Sequence, residues 1–311
     1  MKHGLIQTYP LQPRIEAELQ KRFRVHRWYE ISDKQAFLQE EGETVRAIVT
    51  GGHLGVSRDL ADALPNLEIV AINGVGFDKV DLAQARERGF RVTNTPDVLT
   101  EDVADLAIGL SIAALRQLVP ADHYVRSGQW QKAEMPLTSK VSRRRFGIYG
   151  LGRIGKSIAS RLEAFNAEIS YCSRRKHDVP YAYHATPVAL AESCDVMIIA
   201  AAATPETRHV INKPVLEALG PGGILVNVAR GSLVDEAALV EILSAGGLRG
   251  AALDVFENEP NVPETLLTMP NVTLAPHVGA ATEETRAQMG KLVLANLDAH
   301  FAGTDLPTPV V

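Results

Sequence analysis

Cysteine is nearly missing from this chain: two thiols in 311 residues, Cys172 and Cys194, without CxxC spacing. That excludes a disulfide scaffold and a thiolate metal site, and it predicts reduced thiols in the cytoplasm and no bound metal. Positive charge is short as well, with 32 Lys and Arg against 37 Asp and Glu and a net charge of −5. A general affinity for nucleic acid is therefore not expected. The cluster Arg143-Arg144-Arg145 is too brief to change this and reads as a solvated turn. No apolar run reaches the roughly 18 residues of a membrane-spanning helix, so no membrane partner is expected. The opening residues, Met1-Lys2-His3-Gly4-Leu5-Ile6-Gln7, lack the uninterrupted apolar stretch of a secretion signal. What remains, 46% hydrophobic and 22% charged, suits two globular domains that each bury a core.

A further absence is local. Residues 146–155 read Phe-Gly-Ile-Tyr-Gly-Leu-Gly-Arg-Ile-Gly. An apolar strand runs into Gly150-x-Gly152-x-x-Gly155, and a helix-like run over 156–165 follows. The first glycine would make the tight turn, the second would let backbone N–H groups approach a pyrophosphate, and the third would let helix pack on strand. The phosphates would rest on the helix N-terminus, where unpaired N–H groups and the dipole favour negative charge. Leu151, Arg153 and Ile154 complete this candidate cofactor loop. A dinucleotide site preferring NAD carries an Asp or Glu about 20 residues further on, at the end of the next strand, to hold the ribose 2′-OH. That strand is expected over 168–172, and it is followed by Ser173-Arg174-Arg175-Lys176 with no acid before Asp178. Two guanidiniums and a hydroxyl suit a 2′-phosphate. The pattern predicts NADPH over NADH.

Elsewhere short apolar strands alternate with helical segments. Strands are expected over 45–50, over 67–72 and from Val92 to the closing Asn94-Thr95-Pro96, with helices over 57–64 and 81–88. The second strand ends in Asn73-Gly74-Val75-Gly76-Phe77. Thr100 is a candidate N-cap with Glu101 and Asp102 in the first turn. Val103, Leu106, Ala107, Leu110 and Ala114 then repeat at helical spacing, predicting a long helix that bridges two domains. Residues 122–135 hold Tyr124, Trp130 and Met135 with weak periodicity, suiting either a partner contact or a surface excursion. Beyond the glycine motif, strands are expected over 196–201, 223–228, 250–255 and 272–275. Helices are expected over 213–219, with Pro214 in the first turn, and over 236–245, ending at Gly246-Gly247. A last long helix over 282–301, capped by Thr282, would run back to the first domain. This alternation predicts an α/β fold with parallel sheets covered on both faces.

Three polar groups follow successive strands of the cofactor half: Arg230, Glu259 and His277. Ligands of open α/β sheets bind at the carboxyl ends of strands, so these loops could converge on one ligand. Their types fit hydride transfer to a 2-keto acid. Arg230 would hold the carboxylate and polarise the carbonyl. His277 would protonate the carbonyl oxygen, and Glu259 would favour the charged imidazole. Taken singly, each could equally be a surface loop residue.

With their neighbours, these residues resemble the D-2-hydroxyacid dehydrogenase family. The likeness rests on residues 73–81 (NGVGFDKVD), Gly150 to Gly155, residues 227–235 (NVARGSLVD), 253–260 (LDVFENEP) and 275–279 (APHVG). The stretches TPDVLTEDVADLAIGL and ISYCSRR are similar to the glyoxylate/hydroxypyruvate reductase and hydroxyphenylpyruvate reductase subgroup, which tends to use NADPH. The resemblance implies two doubly wound parallel-sheet domains. A Rossmann cofactor domain over 99–282 would be inserted in a smaller flavodoxin-like substrate domain made of 1–98 and 283–311. It implies Arg230, Glu259 and His277 as catalytic residues, and Val75 and Gly76 as backbone N–H donors to the substrate carboxylate. Asp254 would face the nicotinamide carboxamide, Thr204 and Pro205 would border the cofactor cleft, and Val228, Ala229 and Gly279 would line it. His53 and Leu54 would line the substrate pocket, and the polar His53 favours small polar acids over aromatic ones. Trp130 or Met135 would reach a partner's active site in a homodimer. Glu259 argues against the formate dehydrogenase branch, and a chain ending at Val311 leaves no room for the regulatory domain of phosphoglycerate dehydrogenases. The remaining alternatives are an aromatic 2-keto acid reductase and a nucleotide-sensing co-repressor-like binding protein.

Overall fold

Short apolar runs punctuated by glycine, proline and capping residues fold into parallel strands of two separate sheets. The structure is a computed structural model that describes residues 2–311. It divides into two units, Met1–Leu99 with Ala281–Val311, and Thr100–Ala280.

The first unit begins with β1 (Gly4–Gln7), α1 (Pro13–Arg22), β2 (Arg24–Arg27) and α2 (Lys34–Glu41). It continues through β3 (Val45–Gly51), α3 (Arg58–Asp62), β4 (Ile69–Asn73), α4 (Leu82–Arg88) and β5 (Arg91–Thr93). The strands pair in the order β2-β1-β3-β4-β5, all parallel. Both faces are buried. Ile6, Ile48, Val70 and Val92 pack with Leu64 and Phe90 on one side, and Leu5, Val49 and Ala71 pack with Leu19, Val293 and Leu297 on the other. This is why the inner strands β3 and β4 read as near-continuous apolar runs instead of alternating ones. Helix α1 opens on Pro13 without a side-chain cap, whereas α2, α3 and α4 start where a side chain satisfies open N–H groups. Ser57 accepts from Leu60, and Asp81 accepts from Ala83 and Gln84. Gly89, at φ 78°, closes α4 in the left-handed conformation.

The second unit comprises α5 (Thr100–Arg116), α6 (Leu118–Arg126), β6 (Arg145–Tyr149), α7 (Arg153–Glu163), β7 (Glu168–Cys172), β8 (Ala182–His184) and α8 (Pro187–Ser193). After these come β9 (Val196–Ile199), α9 (Lys213–Leu219), β10 (Ile224–Asn227), α10 (Glu236–Ser244), β11 (Gly250–Leu253), α11 (Glu264–Thr268) and β12 (Val272–Leu274). The seven parallel strands run β12-β11-β10-β9-β6-β7-β8, so the order reverses at β6. The chain returns to the first unit in α12 (Glu283–Ala302), whose N-cap Thr282 accepts from the Thr285 N–H.

Two expectations need correction. Thr100 is the first helical residue of α5 and not its cap, and α5 lies within the second unit instead of bridging two domains. Its buried side chains, Val103, Ala104, Ala107, Leu110, Ser111 and Leu115, form the face that packs among α7, β10, β11 and β12. Residues 122–135 also carry more structure than their weak periodicity suggested: the end of α6 and a 3-10 turn, Gln129–Gln131. Leu118, Val119, Val125 and Trp130 are exposed there, and Leu137 beyond them is 98% exposed. Among the described residues no single helix is long and apolar enough to cross a membrane. The bent pair of α5 and α6 passes on length and composition alone, and the apolar face of α5 is already spent on the unit's own core.

Candidate active site

The turn after β6 sits where the strand order reverses, at the place such sheets open a crevice. Gly150 has φ 100°, and a Cβ there would lie 2.6 Å from the Ala201 backbone, so only glycine makes this turn. Gly155 faces the same constraint from below, since a Cβ would fall 2.1 Å from the Gly150 carbonyl oxygen. Gly152, the N-cap of α7, is the opposite case: no heavy atom lies within 4 Å of a Cβ built there. The space over the helix N-terminus is open, as a pyrophosphate on backbone N–H groups requires. Leu151 is buried, while Arg153 is exposed and Ile154 half-buried on the first turn of α7.

Ser173, Arg174 and Arg175 follow β7. The Ser173 hydroxyl donates to the Arg175 carbonyl at 2.7 Å and shapes the turn, and both arginines are exposed. Thr204 and Pro205 follow β9 in a short 3-10 turn, where the Thr204 N–H donates to the Thr207 hydroxyl. Glu206 in that turn is held below the usual carboxylate range, first by the Thr204 hydroxyl and also by the charge of Arg174.

The residues after β10, β11 and β12 interlock. Asn227, at the end of β10, donates from Nδ2 to the Arg230 carbonyl (2.9 Å) and accepts the Ala229 N–H (3.1 Å). Val228 is buried inside this loop, and Arg230 is half-buried, its guanidinium donating to the Ala229 carbonyl at 2.8 Å. Gly231 lies so close to the next loop that a Cβ would be 1.9 Å from the Phe256 carbonyl carbon. The Phe256 N–H in turn donates to Glu259 Oε1 at 3.0 Å. The other carboxylate oxygen, Oε2, lies 2.7 Å from His277 Nδ1.

His277 is held in a left-handed backbone conformation, φ 55°, which costs free energy in a non-glycine residue unless its surroundings impose it. Asp254 imposes it. Its carbonyl accepts the His277 N–H (2.8 Å), and its carboxylate accepts the N–H groups of Val278 (2.8 Å) and Gly279 (2.9 Å). The Asp254 carboxyl is pushed above its ordinary range by burial, partly offset by those two hydrogen bonds.

A node that sequence reasoning passed over lies beside this loop. Glu257 Oε1 binds Arg208 (2.6 Å) and His209 Nε2 (2.7 Å), and the Glu257 N–H donates to Glu236 at 3.3 Å. The network ties the segment after Thr204 to the loop bearing Glu259. Glu257 and Asn227 both stood within the quoted motifs. Their roles were illegible because each acts on groups brought near only by folding. His53, Leu54, Val75 and Gly76 lie in the first unit, in two loops of its own. Leu54 and Gly55 donate to the Gly51 carbonyl in a tight turn after β3, and Val75 and Gly76 follow β4.

Comparison with known proteins accords with this geometry. Residues 108–279, more than half of the chain, match the family model for the D-isomer specific 2-hydroxyacid dehydrogenase, NAD binding domain. The chain is 50% identical over 309 residues, 99% of each protein, to the glyoxylate/hydroxypyruvate reductase A of Arabidopsis thaliana. It is equally similar, over the same length, to the hydroxyphenylpyruvate reductase of Plectranthus scutellarioides. Its fold superposes with a TM-score of 0.93 on the NADPH-dependent glyoxylate/hydroxypyruvate reductase of Sinorhizobium meliloti, solved in complex with NADP and malonate. That pair is 45% identical, covering 100% of this chain and 97% of the other. The glycine turn, the paired His277 and Glu259 and these full-length similarities make the chain an oxidoreductase of the D-2-hydroxyacid dehydrogenase family.

Proposed function

We propose that this chain reduces small 2-keto acids, glyoxylate and hydroxypyruvate, to D-2-hydroxy acids with NADPH. The observation that carries this reading is the 2.7 Å contact between His277 Nδ1 and Glu259. A carboxylate on Nδ1 fixes the orientation of the imidazole and would leave Nε2 to carry the transferred proton. His277 would give that proton to the carbonyl oxygen, and the reverse reaction would use the neutral ring as base. Arg230 would bind the substrate carboxylate and polarise the carbonyl. The N–H groups of Val75 and Gly76 would bind the same carboxylate, and His53 and Leu54 would line the pocket.

Residues 100–280 serve in this reading as the cofactor domain. Gly150 to Gly155 would hold the pyrophosphate, and Ser173, Arg174 and Arg175 the 2′-phosphate. Thr204, Pro205, Val228, Ala229, Asp254 and Gly279 would line the remainder of the cofactor. When bound, NADPH supplies the hydride. The fit rests on the open space at Gly152 and on the absence of an acid after β7. The exposed apolar side chains of α6 and Trp130 favour a homodimer, and the two buried free thiols suit the cytoplasm.

The equal identity to a hydroxyphenylpyruvate reductase keeps an aromatic substrate as the second reading. The test is the initial rate of NADPH oxidation with glyoxylate, hydroxypyruvate and 4-hydroxyphenylpyruvate, repeated with NADH. Fast turnover of the first two with NADPH is expected. A ranking led by the aromatic acid would reverse the substrate assignment, and turnover with NADH alone would overturn the role given to Arg174 and Arg175. No turnover with either cofactor would favour a nucleotide-sensing binding protein.

A further inference from the structure

The loop after β4 is anchored by its carbonyls. The Thr95 N–H donates to the Gly74 carbonyl at 2.9 Å, and Asn94 Nδ2 donates to the Val75 carbonyl at 2.8 Å. A trans peptide is planar, with its C=O and N–H pointing in opposite directions. The Gly74 carbonyl shares a plane with the Val75 N–H, and the Val75 carbonyl shares one with the Gly76 N–H. Fixing the two oxygens therefore aims two consecutive N–H groups away from Asn94 and Thr95, as a donor pair from which one carboxylate could accept.

The anchor itself is rigid. Thr95 is fully buried and Asn94 is 9% exposed. The backbone of Asn94 is clasped on both sides by Thr308, whose hydroxyl donates to the Asn94 carbonyl (2.6 Å) and whose carbonyl accepts the Asn94 N–H (3.4 Å). Thr308 is fixed in turn by Asn296 of α12, fully buried, which accepts the Thr308 N–H (3.1 Å) and donates to its hydroxyl (2.8 Å). The Asn94 amide is thereby left to a single task, the Val75 carbonyl.

We infer that Asn94 is a positioning residue for substrate recognition: its side-chain amide aims the Gly76 N–H at the substrate carboxylate, and residues 296 and 308 hold it in place. The inference rests on the reading of Val75 and Gly76 as carboxylate donors. Asn94 touches neither substrate nor cofactor in this scheme, so its loss should appear in recognition of the carboxylate and not in the chemical step.

The experiment compares kcat and KM for hydroxypyruvate and for its methyl ester, which lacks the charged carboxylate, in the wild-type protein and in Asn94→Asp. The aspartate keeps the volume and both backbone bonds to Thr308 but cannot donate to the Val75 carbonyl. Asn94→Ala is the second variant, and the melting midpoint and NADPH affinity are read for each. Loss of one hydrogen bond at an anion site should raise KM for the acid roughly tenfold. Values of kcat and NADPH affinity should stay near wild type, with kcat/KM for the ester unchanged. An equal fall for acid and ester, or an unchanged KM for the acid, overturns the role of Asn94 while the carboxylate reading stands. Wild-type protein that turns over acid and ester equally well would instead overturn the carboxylate reading itself.

Discussion

Both units obey the same topological rule and resolve it differently. In the first, the strand order reverses at β1; in the second, at β6. Each reversal parts the loops that follow neighbouring strands and so creates a crevice at their carboxyl ends. At β6 the crevice stays open over Gly152. At β1 two rings of the chain stand beside it. Tyr9, just past β1, stands edge-on to His53, just past β3, with ring centroids 5.7 Å apart. A Cβ on Gly51 would meet the His53 ring at 2.7 Å and the Tyr9 ring at 3.3 Å. Tyr9 is locked further by Asn73, which donates to its hydroxyl at 2.8 Å, and burial raises its ionisation above the ordinary range. Strand order makes a crevice twice, and side-chain volume leaves the two differently open, over Gly152 in one and beside the Tyr9 and His53 rings in the other.

The residues proposed to carry the chemistry, Arg230, Glu259 and His277, belong to the second unit, and the largest effect should come from breaking that set. His277→Ala should lower kcat by about 10²–10⁴ while NADPH still binds in a fluorescence titration. Retained turnover would remove His277 from its role. Next in size, replacing Arg174 and Arg175 together with Ala should raise KM for NADPH about a hundredfold and change that for NADH little. Equal effects on both cofactors would make the pair structural.

The smallest effects sharpen the contrast between the two crevices. Gly152→Val fills open space, so it should weaken NADPH binding without moving the melting midpoint by more than a few degrees. Gly51→Val meets two rings and should cost about 1–3 kcal/mol of stability with NADPH binding unchanged. Calorimetry beside cofactor titration separates the two signatures. Loss of stability in Gly152→Val, or none in Gly51→Val, would reverse the account.

Much of this fold was legible because its signals are local. The run at 168–172 became β7 and that at 213–219 became α9, the latter opened by an Asn212 side chain that accepts the Val215 N–H. The strands that escaped notice lie at sheet edges or early in the chain. β2 reads Arg-Val-His-Arg and β8 reads Ala-Tyr-His, and neither carries an apolar run, because an edge strand buries little. The 3-10 turn at Gln129–Gln131 was hidden for the same reason, since none of its residues is buried.

Glycine spacing, capping side chains, the two thiols and the missing acid after β7 follow from residue type and near neighbours, so they stand in the sequence itself. The thiols show where that reach ends. Cys194 is pushed up to about 12 and Cys172 to about 11 by burial, a property no count of cysteines contains. The meeting of His277 with Glu259 across 18 residues is of the same kind, as are the clamp of Asp254 on residues 277–279 and the hold of Thr308 on Asn94 across 214 residues. The first two join distant groups through the register of parallel strands and the path of the loops between them, and the third through the segment after α12, which meets β5 in an antiparallel bridge between Thr93 and Pro309. Only the packed sheet sets that register, because its cost and its gain are paid by the whole core at once.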